Sequence, residues 1–220
     1  MSRGVSEQDA LAAFGQLAKK KLRERLSATR RALPESALSA RSARIVQALD
    51  GLEPLRAARA VASFWPMPGR AEVDLRPLDA LFAERRVARY YPFMDAKGQS
   101  FVTGFRRIES SEELQPRGQR FAEPPRDAPV ARRGEIDVVI VPALAVTPDG
   151  HRLGYGRGFY DATLPDVAPP ALTIVVAFSF QLMGELFVEP HDVRCDLVVT
   201  DQEISDPRGV LVGPPGAPPR

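Results

Sequence analysis

Three glycines at every second position, Gly154, Gly156 and Gly158, form the segment whose residue types point most directly to chemistry, and Arg152 and Arg157 accompany them. Glycine lets the backbone turn sharply and expose consecutive N–H groups, and a following helix start adds positive potential. The planar guanidinium groups suit phosphate oxygens. The spacing differs from the dinucleotide-binding fingerprint and lacks the Lys-Ser/Thr ending of a P-loop. The pattern therefore indicates either a phosphate-binding loop or an ordinary glycine-rich surface loop.

The elements that must position this loop can be predicted from its two flanks. Residues 138–141 are a short β-branched run, which predicts a strand buried on both faces, and Pro142 ends it because proline has no N–H for the ladder. Residues 159–161 begin a short helix that we predict not to pass Pro165. The loop is thus expected between a buried strand and a helix N-terminus.

Composition narrows the class of protein. The 220 residues suffice for one large domain, and 30 basic against 28 acidic residues leave a net charge of only +2. This balance gives no support to a general nucleic-acid surface. The single cysteine, Cys195, excludes an internal disulfide and suits a reducing compartment. No apolar run is long enough for a membrane span, so we expect a soluble cytoplasmic protein.

Near the start of the chain, apolar residues recur at helical spacing and predict an amphipathic helix ended by Pro34. The stripe consists of Leu11, Phe14, Ala18, Leu22, Leu26, Thr29 and Leu33. A second helix is expected from Pro34 to about Leu49. On the first helix Lys19 and Arg23 are four positions apart and share a face. They belong either to a solvated basic face or to a pair that reaches a polyanion docked elsewhere on the fold.

A β-loop-α-β unit is predicted from residue 60 to residue 91, and it indicates a parallel sheet with helices on its faces. Its first strand covers 60–64, and its second covers 87–91, where Pro92 is expected to end it. Ligands bind such sheets at the carboxyl ends of the strands. The loop that carries Met67 and Glu72 should therefore lie at the same edge as the glycine loop. Glu72 is either a helix-start carboxylate or a ligand contact.

The remaining segments complete the expected order of elements. Residues 101–105, 173–178 and 195–200 read as strands, the first of them in a hairpin. The stretch 109–135 is too long for an ordinary connection and is either a functional lid or a poorly ordered crossing. Residues 206–220 are rich in Pro and Gly and are predicted to be a disordered tail after a single domain of residues 1–205.

The segment from Val141 to Asp161, VPALAVTPDGHRLGYGRGFYD, resembles the hallmark loop of the 5-formyltetrahydrofolate cyclo-ligase family. Segments 18–23, 72–78, 122–124, 178–181 and 191–200 resemble the family in the same order and spacing. Phe159 stands where the family more often has tyrosine, and Arg70-Ala71 makes the match before Glu72 imperfect. The resemblance implies an α/β fold, a three-layer α/β/α sandwich with a mostly parallel sheet and an N-terminal helical segment.

The resemblance also implies the reaction and its residues. The family cyclises 5-formyltetrahydrofolate to 5,10-methenyltetrahydrofolate with ATP and Mg²⁺. ATP would be held by the following residues: Lys19, Arg23, Arg152, Leu153, Gly154, Tyr155, Gly156, Arg157, Gly158, Phe159 and Tyr160. The folate would contact Met67, Glu72 and Tyr160, and the catalytic residues would be Arg157 and Tyr160. Mg²⁺ would lie near Asp161 and Asp192.

Other functions remain open from the sequence. A non-catalytic relative that binds folate as a regulator is an alternative, because a fold does not determine a function. A nucleic-acid-binding role for the basic first helix is a more distant one. The pair His191-Asp192 is read from its residues alone as a local hydrogen-bond arrangement, since no serine or cysteine nucleophile motif accompanies it. The partner expected is a reduced folate, with no nucleic acid or membrane, and the protein is expected to be a monomer or weak homodimer.

Overall fold

The computed structural model describes residues 7–117, 121–190 and 192–211. Its helices are α1 (Glu7–Ala32), α2 (Glu35–Gly51), α3 (Glu53–Ala57), α4 (Arg76–Glu84) and α5 (Phe159–Val167). The strands are β1 (Ala60–Ala62), β2 (Ala88–Lys97), β3 (Ser100–Ile108), β4 (Gln115–Arg117), β5 (Phe121–Glu123), β6 (Val138–Pro142), β7 (Ala145–Val146), β8 (Arg152–Leu153), β9 (Leu172–Val176), β10 (Leu197–Val199) and β11 (Ile204–Ser205). Every strand and helix predicted within the described residues is present, with ends shifted by a few residues.

Seven strands form one sheet in the order β11-β10-β9-β6-β1-β2-β3. The five inner strands are parallel, and β3 and β11 are antiparallel at the edges. From β1 the chain adds β2 and β3 on one side of the sheet. It then adds β6, β9, β10 and β11 in turn on the other side of β1. The strand order therefore reverses between β1 and β6. A crevice at such a switch point is where open α/β sheets bind ligands.

Two apolar cores lie on the two faces of this sheet. Alternate residues of the inner strands point to opposite faces, as the pleat requires. One core contains Val138 and Ile140 of β6 and packs against α2, α3 and α4. The other contains Val139 and Val141 and packs against α5. This arrangement confirms the predicted α/β/α sandwich with a mostly parallel sheet.

Helix α1 lies against the loops at the carboxyl edge of the sheet, and its predicted apolar stripe is only partly buried. Leu26 is buried with Ala145 and Leu153 of the small β7–β8 hairpin. Gly15 packs so closely on Phe187 that an added Cβ would lie 2.1 Å from its ring. Phe14, by contrast, is 67% exposed. The stripe prediction is wrong at Phe14, and the side chain of Leu11 lies outside the described residues.

The prediction that Pro92 ends the second strand is wrong, since β2 continues to Lys97. The Ala88 N–H donates to Arg59 O, and Tyr90 O accepts from Ser63 N. Even-numbered residues of β2 therefore direct their backbone groups toward β1. Because β1 ends at Ala62, opposite Tyr90, the N–H that Pro92 lacks would point past the end of β1. The proline removes no bond from the ladder, and β2 goes on pairing with β3.

The prediction that the helix after the glycine loop stops before Pro165 is also wrong. Helix α5 continues to Val167 with Pro165 inside it. Proline removes one backbone hydrogen bond, but Ala168 N still donates to Leu164 O at 2.8 Å. Burial of Leu164 and Val167 against the sheet offsets the loss of that bond.

The long segment 109–135 contains more structure than a plain crossing. A 3₁₀ turn at Ser111–Glu113 precedes the β4–β5 hairpin, whose residues 118–120 lie outside the described part of the chain. The Arg107 N–H donates to Pro129 O and so ties the end of the segment to β3. In the predicted tail, Val210 and Leu211 pack against the core, and residues 212–220 lie outside the described residues. None of the described helices is long and apolar enough to cross a membrane.

Asp201 ties α2 to the end of the sheet and supports a prediction on stability. Its buried carboxylate accepts from Arg41 at 2.5 Å and from the Ser179 N–H at 2.6 Å. Burial alone would raise its pKa, but these bonds and the charge of Arg41 outweigh burial and lower the pKa. We expect Asp201→Asn to reduce the free energy of unfolding by about 2 kcal/mol at pH 7, because it removes a charge from a buried pair.

Urea unfolding at several pH values measures this effect, with exposed Asp127→Asn as the matched control. A carboxylate with a lowered pKa contributes its stability above the unfolded-state pKa and loses it as the pH falls through the folded-state value. The difference between the wild type and Asp201→Asn should therefore shrink below about pH 4. A difference that is the same at pH 7 and in acid would contradict the charged role of Asp201.

Candidate active site

A cavity of about 660 Å³ opens at the carboxyl ends of β1 and β6, where the strand order reverses. Phe64 and Trp65 follow β1 into its wall, and Pro142 ends β6 there. Pro92 and Met94 of β2 form a further part of the wall. All the candidate site residues predicted from the sequence line this one cavity: Lys19, Arg23, Met67, Glu72, Arg152, Leu153, Gly154, Tyr155, Gly156, Arg157, Gly158, Phe159, Tyr160, Asp161 and Asp192.

The glycine loop runs from β8 into α5 and has two positions that require glycine. Gly156 has φ +83°, and Gly158, the N-cap of α5, has φ +66°, both in the left-handed region. Gly158 leaves the helix start without a side-chain cap, and the Ala162 N–H is the first to bond back along the helix. The N–H groups of the first turn are therefore available at the cavity wall, which favours an anion there. Gly154 has no positive φ, so it is not required by backbone conformation.

Lys19 and Arg23 of α1 reach the cavity, so the interpretation as a solvated basic face is wrong for this pair. Lys19 is buried and donates to Glu189 at 2.5 Å and to Asp192 at 2.9 Å. Burial would lower its pKa, but the hydrogen bonds and charges of the two carboxylates outweigh it and raise the pKa. Arg23 donates from Nε to Gly154 O at 2.9 Å, and its guanidinium lies against Gly156.

Arg152 and Asp161 form a pair across the base of the loop. The Arg152 side chain is only 3% exposed, and its Nη2 donates to Asp161 at 2.7 Å, while Nη1 donates to Val193 O. The Val193 N–H donates to the same Asp161 oxygen at 3.3 Å. In this structure Arg152 thus orients Asp161. Its predicted contact with phosphate stays a prediction.

The two predicted metal ligands, Asp161 and Asp192, lie close together. Asp161 accepts a hydrogen bond from the N–H of Val193, which directly follows Asp192 in the chain. Both carboxylates line the cavity, and each is hydrogen-bonded to a cationic side chain. Within ranges 7–117, 121–190 and 192–211, no group of three or more His, Cys, Asp or Glu residues could hold a metal ion. Mg²⁺ needs only one or two carboxylates when phosphate oxygens and water complete its shell. The pair therefore fits Mg²⁺ that arrives with a nucleotide. His191 lies outside the described residues.

Glu72 also lines the cavity. It precedes α4 by four residues, so the interpretation as a helix-start carboxylate is wrong. Its side chain is buried and accepts from the Met67 N–H at 2.7 Å and from the Tyr155 hydroxyl at 2.5 Å. Burial raises its pKa above the ordinary glutamate value, against the opposing effect of these bonds and of nearby arginines. Glu72 therefore closes its own loop and joins it to the glycine loop.

Tyr160 and Arg157, the predicted catalytic residues, lie on the cavity wall in different surroundings. Burial, and then the charge of Glu72, raise the pKa of Tyr160, so its hydroxyl stays protonated at neutral pH. That hydroxyl makes no hydrogen bond with the described residues. Arg157 is exposed and forms no ion pair or hydrogen bond within the described part of the chain.

The side chains of Leu153 and Phe159 are buried in the apolar cores, so these two residues could contribute to a ligand site only through their backbone groups.

The charges of the cavity wall do not balance. Lys19 and Arg152 are ion-paired, whereas Arg23, Arg70 and Arg157 form no ion pair with any described residue. Arg70 faces the Glu72 carboxylate, which leaves Arg23 and Arg157 beside the open helix N-terminus. These two guanidinium groups and the helix N-terminus favour a ligand with several negative charges. A polyphosphate fits this part of the cavity.

Several wall residues were missed from the sequence. Glu189, which pairs with Lys19, and Arg30, which reaches Tyr155 from α1, had no local motif that could identify them. Arg70 had a weak sequence signal, because it is part of the imperfect match before Glu72. In the structure its guanidinium lies over the Tyr155 ring, 5.4 Å from the ring centroid. Phe121 lies in the part of segment 109–135 that lines the cavity, which supports a functional role for that segment.

Gly156 is the loop position where a side chain should be most harmful. An added Cβ would lie 3.3 Å from the Arg23 guanidinium carbon, at a φ that L residues rarely adopt. We expect Gly156→Ala to displace Arg23 and to weaken binding of inorganic triphosphate about tenfold, with strain of about 1–3 kcal/mol. Gly184→Ala is the control, since its added Cβ meets nothing within 4 Å. Calorimetric titration measures both, and equal affinities would contradict the loop's role.

A mostly parallel sheet with a glycine loop and a cavity at its switch point, where such sheets bind ligands, defines an open α/β protein. The profile of the 5-formyltetrahydrofolate cyclo-ligase family matches residues 16–201, which is most of the chain. The chain therefore belongs to the 5-formyltetrahydrofolate cyclo-ligase family.

Named relatives agree with this assignment. A 5-formyltetrahydrofolate cyclo-ligase of Mycolicibacterium smegmatis is 48% identical over 77 residues, which are 35% of this chain and 40% of that protein. The chain thus spans about two fifths of that relative's length. A protein of the same name from Escherichia coli K12 is 32% identical over 158 residues, 69% of this chain and 82% of its own.

Solved structures agree in fold. The NMR structure of Aquifex aeolicus 5,10-methenyltetrahydrofolate synthetase is similar with a TM-score of 0.74 and 27% identity, covering 86% of this chain and 93% of its own. A 5,10-methenyltetrahydrofolate synthetase from Mycoplasma pneumoniae gives a TM-score of 0.65 at 23% identity, covering 83% of this chain and 98% of its own. The second likeness bears on the fold alone.

Proposed function

We propose that this protein cyclises 5-formyltetrahydrofolate to 5,10-methenyltetrahydrofolate with ATP and Mg²⁺, releasing ADP and phosphate. One observation carries the proposal. One cavity is lined by Arg23, Arg157 and an open helix N-terminus, which we call its phosphate half, and by Met67 and Glu72, which we call its substrate half. Tyr160 belongs to the same wall. This arrangement supports two substrates that meet inside one site.

The chemistry explains why such a division is needed. The N5-formyl oxygen is a poor leaving group, so ATP transfers its γ-phosphoryl group to that oxygen. N10 then attacks the formyl carbon and loses its proton, and the C–O bond breaks to release phosphate and form the methenyl bridge. Phosphoryl transfer depends on positioning and charge neutralisation more than on a protein nucleophile. The cavity offers cations and backbone donors for that purpose.

The roles of individual residues follow from their surroundings. Lys19, Arg23, Arg157 and the loop from Arg152 to Tyr160 hold the phosphates. Arg157 neutralises charge on the transferred group, because its guanidinium bonds to none of the described residues. Tyr160 keeps its proton and donates it as a hydrogen bond near the formyl oxygen. Glu72 accepts hydrogen bonds from the pterin on carboxylate lone pairs beyond the two that already accept from Met67 and Tyr155.

Mg²⁺ fits this proposal as a companion of ATP. Asp161 and Asp192 would hold it, with Arg152 and Lys19 fixing the two carboxylates. When bound, Mg²⁺ supplies positive charge for the phosphate oxygens. We further propose a cytoplasmic monomer or weak homodimer that acts on a small folate and on neither nucleic acid nor a membrane.

An absorbance assay of the methenyl chromophore tests the proposed function. Purified protein with 5-formyltetrahydrofolate and Mg²⁺ should form the chromophore only when ATP is added. Trp65, the single tryptophan of the chain, lines the cavity and reports folate binding separately by fluorescence. Folate binding without any chromophore would refute catalysis and leave a folate-binding protein. Absence of both signals from folded protein would refute the substrate as well.

A further inference from the structure

The Tyr155 hydroxyl connects the two halves of the cavity. It donates to Glu72 Oε1 at 2.5 Å, across 83 positions of the chain. Glu72 Oε2 meanwhile accepts from the Met67 N–H at 2.7 Å. Glu72 is therefore held at both oxygens, one by its own loop and one by the glycine loop.

Arg30 holds Tyr155 from the other side. This residue of α1 is only 2% exposed, and its Nη2 donates to the Tyr155 hydroxyl oxygen. The hydroxyl thus accepts from Arg30 while it donates to Glu72, which fixes the direction of its proton. Burial raises the pKa of Tyr155, so the proton stays on the phenol at neutral pH.

The backbone on both sides of Tyr155 is held by Arg23. The carbonyl of Gly154 accepts from Arg23 Nε at 2.9 Å, and the same guanidinium lies against Gly156. A phosphate that binds the Arg23 nitrogens without a partner among the described residues would therefore order the backbone that carries Tyr155. Through the phenol, that ordering would reach the carboxylate of Glu72.

We propose that Tyr155 and Arg30 are positioning residues that hold Glu72 in its folate-binding orientation, and that through them occupancy of the phosphate half tightens folate binding. The coupling part rests on the proposed function. Tyr155, expected from the sequence to contact ATP, here has its side chain directed to the substrate half. No local sequence motif points to Arg30.

The charges around Glu72 define what each substitution removes. The groups that face Glu72 are Arg30 of α1, Arg70 of its own loop, Tyr155 of the glycine loop and Tyr160 of α5. Tyr155→Phe removes one donor to the carboxylate and leaves every charge in place. Arg30→Met removes the group that orients the phenol, and Arg30→Lys keeps a cationic donor.

The experiment compares these three variants with two matched controls. Tyr90→Phe alters a buried tyrosine outside the cavity, and Arg31→Met alters the exposed neighbour of Arg30. Trp65 fluorescence measures the Kd of 5-formyltetrahydrofolate with and without a non-hydrolysable ATP analogue. Hydrogen–deuterium exchange of peptides covering 65–73 measures the order of the Glu72 loop in the protein without ligands.

The expected results separate positioning from general stability. In the wild type the ATP analogue should tighten folate binding about fivefold. In Tyr155→Phe and Arg30→Met folate affinity should fall about tenfold, the effect of the analogue should disappear, and exchange at 65–73 should rise. Arg30→Lys should recover part of both properties. In Tyr155→Phe the Glu72 carboxylate loses a hydrogen-bond donor that stabilises its charged form, so its pKa rises further. The midpoint of the pH dependence of folate binding should therefore move to higher pH.

Two results would overturn the inference. One is a Tyr155→Phe protein whose exchange at 65–73 equals that of Tyr90→Phe. The other is an effect of the ATP analogue that is as large in Tyr155→Phe as in the wild type. If the wild type binds no 5-formyltetrahydrofolate, the proposed function and the coupling fail together, and the exchange experiment without ligands still decides whether Tyr155 and Arg30 hold the Glu72 loop.

Discussion

Arg157→Ala should lower kcat/KM for ATP by about 10²–10³-fold while the thermal unfolding midpoint stays unchanged. Arg157 is exposed on the cavity wall and makes no ion pair or hydrogen bond with the described residues. Removal of this side chain therefore breaks no ion pair or hydrogen bond with the described residues, and the stability of the folded state should not change. The whole expected effect arises from charge that is neutralised only when phosphate is present.

Steady-state kinetics with varied ATP, together with thermal unfolding, measures this prediction. Arg25→Ala is the matched control, because Arg25 is an exposed arginine of α1 that does not line the cavity. If only the KM for ATP changed, Arg157 would bind ground and transition states equally. An Arg157→Ala enzyme with wild-type kcat/KM would remove this residue from the mechanism.

Lys19→Met should abolish most of the activity and also destabilise the protein. The ammonium lies between Glu189 and Asp192, at 2.5 and 2.9 Å, and is buried. Without it two neighbouring carboxylates repel each other where phosphate and Mg²⁺ are expected. We expect a loss of at least about 10²-fold in kcat/KM for ATP and a loss of about 2 kcal/mol in the free energy of unfolding at pH 7.

The pH dependence of this loss distinguishes the charge of Lys19 from its packing. Lys19 lowers the pKa of Glu189, so in the wild type this pair contributes stability above the unfolded-state pKa of glutamate and loses it as the pH falls. In Lys19→Met that contribution is absent, because the ammonium that lowers the pKa of Glu189 is gone. The stability difference between the two proteins should therefore narrow from pH 7 toward pH 4. Lys21→Met, at an exposed position of α1, serves as the control.

The two predictions differ because the two cations are held differently. Arg157 is free of protein partners within the described residues, whereas Lys19 is already part of a buried network. Loss of activity with retained stability at Arg157, and loss of both at Lys19, would agree with a site in which α1 builds the wall and the glycine loop supplies an exposed charge. The same loss of stability in both variants would contradict this division.

Local chemistry in the sequence determined the elements and the loop that carries the site. Buried strands such as 138–141 and the helix that starts after Gly158 depend on apolar periodicity, glycine and capping, which act over a few residues. The prediction at Pro92 was wrong because its missing N–H would point past the end of β1, which depends on how the strands assemble. The prediction at Pro165 was wrong because burial of Leu164 and Val167 against the sheet offsets the lost helical bond.

Only the tertiary structure decided which side chains of the site hold one another. Lys19 meets Glu189 across 170 positions, and Tyr155 meets Glu72 across 83. No local periodicity encodes such pairs. They form because the strand order reverses between β1 and β6, which opens the cavity, and because α1 then packs over its edge. The sequence by itself determined the loop, its charges and the family resemblance, and the packing of α1 on that loop decided that Arg30, Tyr155 and Glu72 act together.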